Sequence, residues 1–432
     1  MSGISRRSLL LGAAAAAVSL PLAACGDDGG SSPSAESTKP VELSFFWWGG
    51  DARAKLTEDA LKLYTAKHPN VTFKTTWQAN QGYFDKLATL TAGNAAPDIF
   101  QIDDNYLTEY ASRNVTLDLS SYQKSGKLDT SKFPESLWKY GVVDGKLAGL
   151  AFGENTQGLV YNKTKLTAAS QPLPTTGMSW EQFVSWAGAA GAATKVPGTQ
   201  DPSADYKAFW VWLRQQGKDL YKGKELGFTA QDVTAWFDLW KGARAAAGTT
   251  PPPDVIREGN QTDITKQLVV TGKALTSWVW VNQLPELQKN TKDELGVMAY
   301  PGDPKAQWAR ASMYFSVYRG SDKKDVAVDV INFLANDPGA GQVLGTDRGL
   351  PSNLDVRTQV EGSVTDKAMK SSIDVENTLG KSFGPSPQVP LKGHSTLRSE
   401  LIKAAESVQA GKAGSAQAAD AFIAAVKTAI SK

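Results

Sequence analysis

The sequence predicts an α/β protein of two domains, and three observations support this class. Strand, polar loop and helix signals alternate along the early part of the chain, as in a parallel sheet covered by helices. About 400 residues follow the N-terminal segment, more than one hydrophobic core usually organises. The predicted strands end in polar and aromatic residues, and ligands of such sheets bind outside the carboxyl ends of the strands. A binding site at these strand ends is therefore expected.

The N-terminus has the pattern of a bacterial export signal. A twin-arginine pair precedes a short apolar run, and Leu22-Ala23-Ala24-Cys25 has the form of a lipobox. An apolar run this short behind a basic start is typical of a cleaved signal peptide rather than a membrane span. We predict a twin-arginine lipoprotein signal over 1–24, lipid attachment at Cys25 and a flexible lipidated tether over 25–40. The protein would then be anchored to the outer face of the cytoplasmic membrane.

The charge balance argues against a strongly charged partner. Removing residues 1–24 takes away Arg6 and Arg7 and no acidic residue, so 44 Lys plus Arg stand against 44 Asp plus Glu. The sequence shows no Lys/Arg run of the kind found in nucleic-acid-binding proteins. We predict no nucleic-acid partner and an uncharged ligand. Cys25 is the single cysteine, so no internal disulfide is expected.

Three predicted strands, over 41–48, 71–77 and 97–102, end in side chains suited to binding. The candidates are Trp48 and Asp51 after the first strand, Gln81 after the second and Asp104 after the third. Asp51 is equally suited to capping the helix that follows it. Asp103 is predicted to be a solvated loop charge, and Trp47, on the opposite face from Trp48, to be core.

The stretch Gly149–Lys163 is predicted to pass between the two domains. Apolar runs at 147–152 and 159–161 flank the polar tripeptide 154–156, with Gly153 and Gly158 on either side. Glycines at such positions mark a bend or a close backbone approach. The interpretation is a strand, a bent crossing and a second strand. A surface hairpin loop is the alternative.

Tryptophans supply candidate core and candidate ligand contacts. Trp236 and Trp240 are four residues apart on one face of a predicted helix and are interpreted as core. Trp278 and Trp280 are two apart on a predicted strand and project to the same side. They form either a buried layer or a stacking wall, and the polar residues that flank them favour the wall.

Five motifs together resemble the family 1 extracellular solute-binding proteins, the carbohydrate-binding subunits of bacterial ABC importers. They are Phe45–Asp51, Ala96–Gln101, Leu159–Lys163, Trp180–Phe183 and Arg348–Ser352. The resemblance runs from about residue 41 to the C-terminus, with the motifs in the family's order.

The resemblance implies a periplasmic-binding-protein fold, in which hinge strands join two α/β lobes that close on a ligand. The first lobe would comprise 41–152 and 312–349, and the second 153–311 and 350–432. Glu154 and Asn155 would lie at the hinge, Trp278 and Trp280 in the second lobe, and Arg348 at the last crossing. Arg348 paired on the surface with Asp347 or Asp355 is the alternative.

The expected function is the binding of a mono- or short oligosaccharide and its delivery to a transmembrane permease, by a monomer that needs no cofactor or metal. A sugar requires flat aromatic faces and hydrogen-bonding side chains. A secreted glycoside hydrolase using Asp104 and Glu154 is the competing class, and a structural or adhesion lipoprotein is a third. A glycerol phosphodiester remains an alternative ligand. The two histidines, His68 and His394, have no metal-ligand spacing.

Overall fold

The structure, a computed structural model, describes residues 39–260 and 263–431. The predicted signal peptide, Cys25 and all but the last two residues of the predicted tether lie outside the described residues. Within the described ranges, no helix is long and apolar enough to cross a membrane.

The described chain alternates strands and helices from its start. The strands are β1 Val41–Trp48, β2 Val71–Gln78, β3 Ile99–Ile102, β4 Val142–Val143, β5 Lys146–Leu147, β6 Leu150–Asn155, β7 Gln157–Asn162, β8 Tyr221–Lys222, β9 Glu225–Leu226, β10 Thr276–Trp280, β11 Leu295–Met298, β12 Arg310–Val317 and β13 Leu350–Pro351. The helices are α1 Asp51–Lys67, α2 Tyr83–Ala92, α3 Leu107–Ser112, α4 Ser120–Lys124, α5 Glu135–Lys139, α6 Lys163–Ala168, α7 Trp180–Thr194, α8 Tyr206–Gln215, α9 Ala230–Ala245, α10 Pro253–Gly259, α11 Leu268–Thr271, α12 Leu284–Lys289, α13 Lys324–Asn336, α14 Pro338–Leu344, α15 Leu354–Ser363, α16 Lys367–Gly380, α17 His394–Gln409 and α18 Ser415–Ile430. Short 3₁₀ turns lie at 264–266, 281–283 and 304–306.

A six-stranded sheet, in the order β13-β6-β12-β3-β1-β2, forms the centre of the first lobe. β1 pairs in parallel with β2 and β3, as the strand–helix rhythm predicts, whereas β12 is antiparallel to both β3 and β6. The chain returns to this sheet through β12. The carboxyl ends of β1 and β3 therefore lie at one edge of the sheet.

Both faces of this sheet are covered. Side chains alternate along β1, so that Phe45 and Trp47 pack with α1, α13 and α14, whereas Phe46 packs with α2 and α3 on the other face. Trp47 is fully buried, which confirms it as core.

A three-stranded antiparallel sheet, in the order β10-β7-β11, forms the centre of the second lobe. One face packs through Leu159 and Trp278 against α7, α8, α9, α17 and α18. The other face packs through Val160 and Val279 against α12. Trp236 and Trp240 are fully buried in the larger of these cores, as predicted.

The chain passes from one sheet to the other at Thr156, which separates β6 from β7. β6 pairs with β12 and β13, and β7 pairs with β10 and β11, so the two strands do not form a hairpin. The predicted strand, crossing and strand are therefore confirmed, although residues 154 and 155 lie within β6 rather than in a loop. We call Glu154–Gln157 the crossing. The predicted residue bounds of the two lobes stay a prediction.

The glycines that flank the crossing allow close packing rather than a bend. A Cβ atom at Gly153 would overlap the carbonyl oxygen of Arg348, and one at Gly158 would lie 2.6 Å from Val281 Cγ2. Neither glycine has a positive φ. A larger residue at either position would push the neighbouring segment away from the crossing.

Candidate functional site

Side chains from both lobes meet beside the crossing. Asn155, the last residue of β6, pairs with Arg310 of β12, and Gln157, the first residue of β7, pairs with Trp280 of β10. The side chains gathered here form the interlobe cluster: Asp104, Asn155, Lys207, Trp280 and Arg310. Two of these five, Lys207 and Arg310, are not among the predicted site residues.

Asp104 and Arg310 form a buried, two-pronged ion pair. Arg310 Nε donates to Asp104 Oδ2 at 2.6 Å, and a second guanidinium nitrogen donates to Oδ1. The two side chains are 0% and 6% exposed. This geometry fixes both groups, because a planar guanidinium matches a carboxylate through two parallel hydrogen bonds. The predicted site residue Asp104 is thus held by a cation of its own lobe.

Trp280 is the aromatic member of the cluster. Its ring centre lies 4.6 Å from the Arg310 guanidinium carbon and 4.7 Å from Lys207 Nζ. Both distances are within the range of a cation–π interaction. Lys207 also lies 3.3 Å from the Asp205 carboxylate, and burial lowers the pKa of Lys207. The half-buried indole is therefore surrounded by fixed charges from both lobes.

Asn155 links the lobes by a hydrogen bond. Its Nδ2 donates to Asn282 Oδ1 at 2.9 Å, and its own Oδ1 accepts from the Thr156 backbone N–H. Its neighbour Glu154 accepts from Arg357 on α15 at 2.7 Å. Both predicted hinge residues are only 6% exposed. They are anchored by these bonds beside the cluster.

Asp103 differs from the solvated loop charge that the sequence predicts. It is half-buried, and its carboxylate accepts from the backbone and the side chain of Asn105. Burial, together with the charge of Asp104, raises its pKa to about 6. Arg398 of α17, in the second lobe, acts on it electrostatically. Asp103 is therefore a partly buried, hydrogen-bonded carboxylate beside Asp104 rather than a solvated loop charge.

Several buried polar atoms near the cluster have no hydrogen-bond partner within the described residues. They include Asn105 Oδ1, Tyr140 Oη, Thr156 Oγ1 and Gln157 Oε1. Buried polar groups are normally paired, so these four atoms are available to a polar partner. Hydroxyl groups, which both donate and accept, suit all four atoms.

The structure corrects the prediction for Trp278. The residue is 6% exposed, and its ring stacks at 3° on that of Trp180, with Tyr300 packed edge-on. Its indole nitrogen donates to the carbonyl oxygen of Gln200 at 2.9 Å. Trp278 is therefore core, not part of a solvent-facing wall. β10 ends at Trp280, whose ring lies beside the crossing rather than in this core.

Arg348 is also buried rather than on the surface. It is 3% exposed, and it donates to Gln101 Oε1 at 3.1 Å and to Thr57 Oγ1 at 2.8 Å. It also pairs with Asp347 at 3.3 Å. Burial, reinforced by the nearby charge of Arg53, lowers its pKa to about 9. These contacts hold the segment before β13 against the first lobe. The hydrogen-bonding groups of the Arg348 guanidinium are therefore bonded to other residues of the protein.

The remaining predicted residues lie at the carboxyl ends of β1 and β2. Trp48 is half-buried and packs on Tyr83 and Phe84, with ring centres 5.3 and 5.7 Å away. Asp51 is exposed in the first turn of α1, and Gln81 is exposed just before α2. Only Asp104, Asn155 and Trp280 of the predicted set belong to the interlobe cluster as defined.

A groove in the second lobe lies apart from this cluster. It has a volume of about 950 Å³ and is lined by Trp180, Trp212, Arg214 and Lys305 of the second lobe. Arg214 and the indole nitrogen of Trp180 are already bonded to protein groups. The groove contains no member of the interlobe cluster, so it is a weaker candidate for the site.

Comparisons with known proteins identify a family. Residues 59–371 match the sequence profile of the bacterial extracellular solute-binding proteins. The chain is 22% identical over 337 residues to the lactose-binding protein of Rhizobium radiobacter, covering 72% of this chain and 75% of that protein.

Solved structures show the same fold. A family 1 extracellular solute-binding protein from Alicyclobacillus acidocaldarius superposes with a TM-score of 0.70 at 27% identity, covering 92% of this chain and all of that one. An ABC substrate-binding protein from Listeria monocytogenes, in complex with cycloalternan, superposes with a TM-score of 0.76 at 18% identity, covering 91% of this chain and all of that one. The two-lobed α/β fold predicted from the sequence is thereby confirmed.

Proposed function

Because the chain belongs to the family of bacterial extracellular solute-binding proteins, we propose that it is the substrate-binding subunit of an ABC importer. It binds a mono- or short oligosaccharide between its two lobes and delivers the sugar to a transmembrane permease. The relatives named for lactose binding and solved with cycloalternan support a carbohydrate ligand.

One observation carries the proposal: the contact of Trp280 with the Asp104–Arg310 pair beside the crossing. A sugar has apolar C–H faces and a rim of hydroxyl groups. An indole ring binds the former, and fixed carboxylate, guanidinium and amide groups bind the latter. The interlobe cluster supplies an indole ring, a carboxylate, a guanidinium and an amide. These groups come from two lobes that are joined where β6 continues into β7.

The proposed contacts divide into two groups. Asp104, Asn155 and Trp280 touch the sugar, with Glu154 beside them. Trp48, Asp51 and Gln81, at strand ends of the first lobe, form an outer rim that a longer oligosaccharide reaches. Arg348 and Trp278 act from within the fold, by holding β13 and β10 in place.

The charges of the cluster favour an uncharged ligand. Arg310 is neutralised by Asp104, and Lys207 lies within 3.3 Å of Asp205. A sugar without charge leaves both ion pairs intact. A phosphodiester would add a negative charge, and the cations of both pairs are already neutralised by carboxylates.

The competing interpretation is a glycoside hydrolase that uses Asp104 and Glu154. In this structure each carboxylate is bonded to an arginine, Asp104 to Arg310 and Glu154 to Arg357. A hydrolase of this type needs one carboxyl group that donates a proton and another that attacks or activates water. Two carboxylates engaged by guanidinium groups fit binding better than turnover.

Membrane attachment and oligomeric state complete the proposal. Cys25 carries the lipid after export and cleavage of residues 1–24, and the tether holds the two-lobed body near the permease. The protein acts as a monomer, with one sugar between its lobes. Mass spectrometry of the membrane fraction tests the first point, since a Cys25→Ser variant must lose the lipid mass.

Titration calorimetry with a panel of neutral sugars, including lactose, tests the proposed function. Saturable binding of one sugar per chain, with the sugar recovered unchanged after prolonged incubation, is expected. Release of shorter products would indicate the hydrolase. Absence of binding across the panel would contradict the carbohydrate assignment.

A further inference from the structure

A second group of charged side chains lies at the crossing, around Glu154. Arg357 of α15 donates to Glu154 Oε2 at 2.7 Å and to the Pro351 carbonyl oxygen at 2.8 Å. Glu376 of α16 is only 3% exposed and lies close enough to both Glu154 and Arg357 to interact electrostatically. We call Glu154, Arg357 and Glu376 the crossing triad.

The triad draws its members from both lobes. Glu154 lies on β6 of the six-stranded sheet, and Arg357 lies on α15, which directly follows β13 of the same sheet. α16 packs on the second lobe, where Ser372 Oγ donates to the Val281 carbonyl oxygen at 2.9 Å. Between them lies Thr156, whose backbone N–H also acts on Glu376. Movement of one lobe relative to the other therefore changes the surroundings of the Glu376 carboxyl group.

The charges of the triad do not balance if both acids are ionised. Glu154 is paired with Arg357, whereas Glu376 forms no ion pair within the described residues. Its Oε1 is buried without a hydrogen-bond partner there. Burying a carboxylate without a partner costs free energy of folding. Binding of a single proton by the triad removes the excess negative charge.

Among the groups that act most strongly on Glu376, Arg357 is the one cation. Glu361 on α15 is the remaining acid that acts on it, and its effect opposes ionisation. Val375 of α16 packs on the apolar cluster that contains Val281 and Leu284, and Ser372 of α16 bonds to the Val281 carbonyl oxygen. Burial, followed by the charge of Glu154, raises the pKa of Glu376 well above its usual value of 4.5.

We propose that Glu376 is a positioning residue of the crossing, which as the uncharged acid keeps α16 packed beside Thr156 and the turn at 281–283 and loosens this packing when it ionises. The proton is exchanged with solvent. The biological role of this ionisation rests on the proposed function, because loosening the crossing would release a bound sugar. Its test needs no ligand, so its failure is distinct from a failure of the proposed function.

Two measurements on the full-length, ligand-free protein test the proposal. Infrared spectroscopy detects the C=O stretch of an uncharged carboxyl group at neutral pH. Small-angle X-ray scattering follows the radius of gyration as the pH is raised from neutral. The variants are Glu376→Gln, which fixes the uncharged form, and Asp374→Asn, an exposed acid on the same helix, as control.

The wild type and D374N are expected to show the carboxyl band at neutral pH, to lose it as the pH rises, and to expand over the same range. E376Q should lack the band and keep a constant radius. A wild type without the band, a band that persists in E376Q, or equal pH dependence of the radius in wild type and E376Q would overturn the proposal. If E376Q folds poorly, the wild type still decides, because expansion without loss of the band contradicts the mechanism.

Discussion

The guanidinium carbon of Arg310 lies 4.6 Å from the ring centre of Trp280, although the two residues belong to different sheets. The same guanidinium is bonded to Asp104. The position of the Trp280 ring is thus tied to a charged group of the first lobe. A sugar bound here would meet an indole, a carboxylate and a guanidinium together, which is the combination that carbohydrate recognition requires.

Replacing Trp280 by Ala should weaken sugar binding without unfolding the protein. The ring is half-buried at the end of β10, so its loss removes ligand contact more than core packing. Loss of a central aromatic contact typically costs about 2–3 kcal/mol of binding free energy, or roughly 30- to 150-fold in affinity. Titration calorimetry with the best-binding sugar measures this loss.

Trp77→Ala is the matched control for this prediction. Trp77 is 38% exposed at the end of β2 and takes no part in the interlobe cluster. Its replacement should leave the affinity for a short sugar near that of the wild type. An equal loss of affinity in both variants would argue against a specific role for Trp280.

Replacing Trp278 by Ala should instead destabilise the protein. Trp278 packs against Trp180, Phe183, Trp240 and Tyr300 in the second-lobe core. Truncation of a buried tryptophan costs about 3–5 kcal/mol in the free energy of unfolding. Urea unfolding of the ligand-free protein measures this change. A variant as stable as the wild type would contradict the core role of Trp278 and favour a contact with the ligand.

These two tryptophans show how far the sequence can predict the site. Their spacing on β10 is apparent from the sequence, and alternation predicts that both rings lie on one side. The two rings differ in burial because α7 and α9 cover β10 at Trp278. This covering depends on packing between segments that are far apart in the chain. Local pattern does not contain that information.

The fold was predictable to a greater extent than the site. Alternating strands and helices with polar strand ends indicated the first sheet, and the flanking glycines indicated the crossing. Arg310, in contrast, has no local signal, because an arginine at the start of a strand is unremarkable until β12 is placed beside Asp104. Arg348 shows the reverse: it stands in a recognisable motif, yet its guanidinium bonds within the fold.

The Asp104–Arg310 pair should behave as one unit in stability measurements. Arg310→Met leaves a buried carboxylate without its partner, which typically costs about 3–5 kcal/mol in the free energy of unfolding. The double variant Asp104→Leu with Arg310→Met should recover most of this loss, because both charges are then absent. Urea unfolding of the two single variants and the double variant measures the coupling. Additive effects would contradict a direct pair.

Acidification should destabilise the protein through His394. The residue is fully buried, with Nδ1 2.7 Å from the Tyr221 hydroxyl, and burial lowers its pKa from 6.5 to about 4. The unfolded chain binds this proton first, so the His394 contribution is fully present above pH 6.5 and is lost as the pH falls towards about 4. The loss amounts to about 3 kcal/mol at most.

Thermal unfolding across this pH range checks the prediction. His394→Asn should show a flatter profile between pH 6.5 and about 4 than the wild type. Tyr221→Phe removes the hydrogen bond but keeps the buried imidazole, so it should retain the wild-type dependence on pH. Parallel profiles for the wild type and H394N would contradict the assignment to His394.

The crystal structure of the protein with its best-binding neutral sugar tests the central claim most directly. The sugar ring should lie against Trp280, with hydroxyl groups bonded to Asp104 and Asn155 and with both lobes in contact with it. A sugar bound in the groove of Trp212 and Lys305, or held by one lobe alone, would contradict the claim.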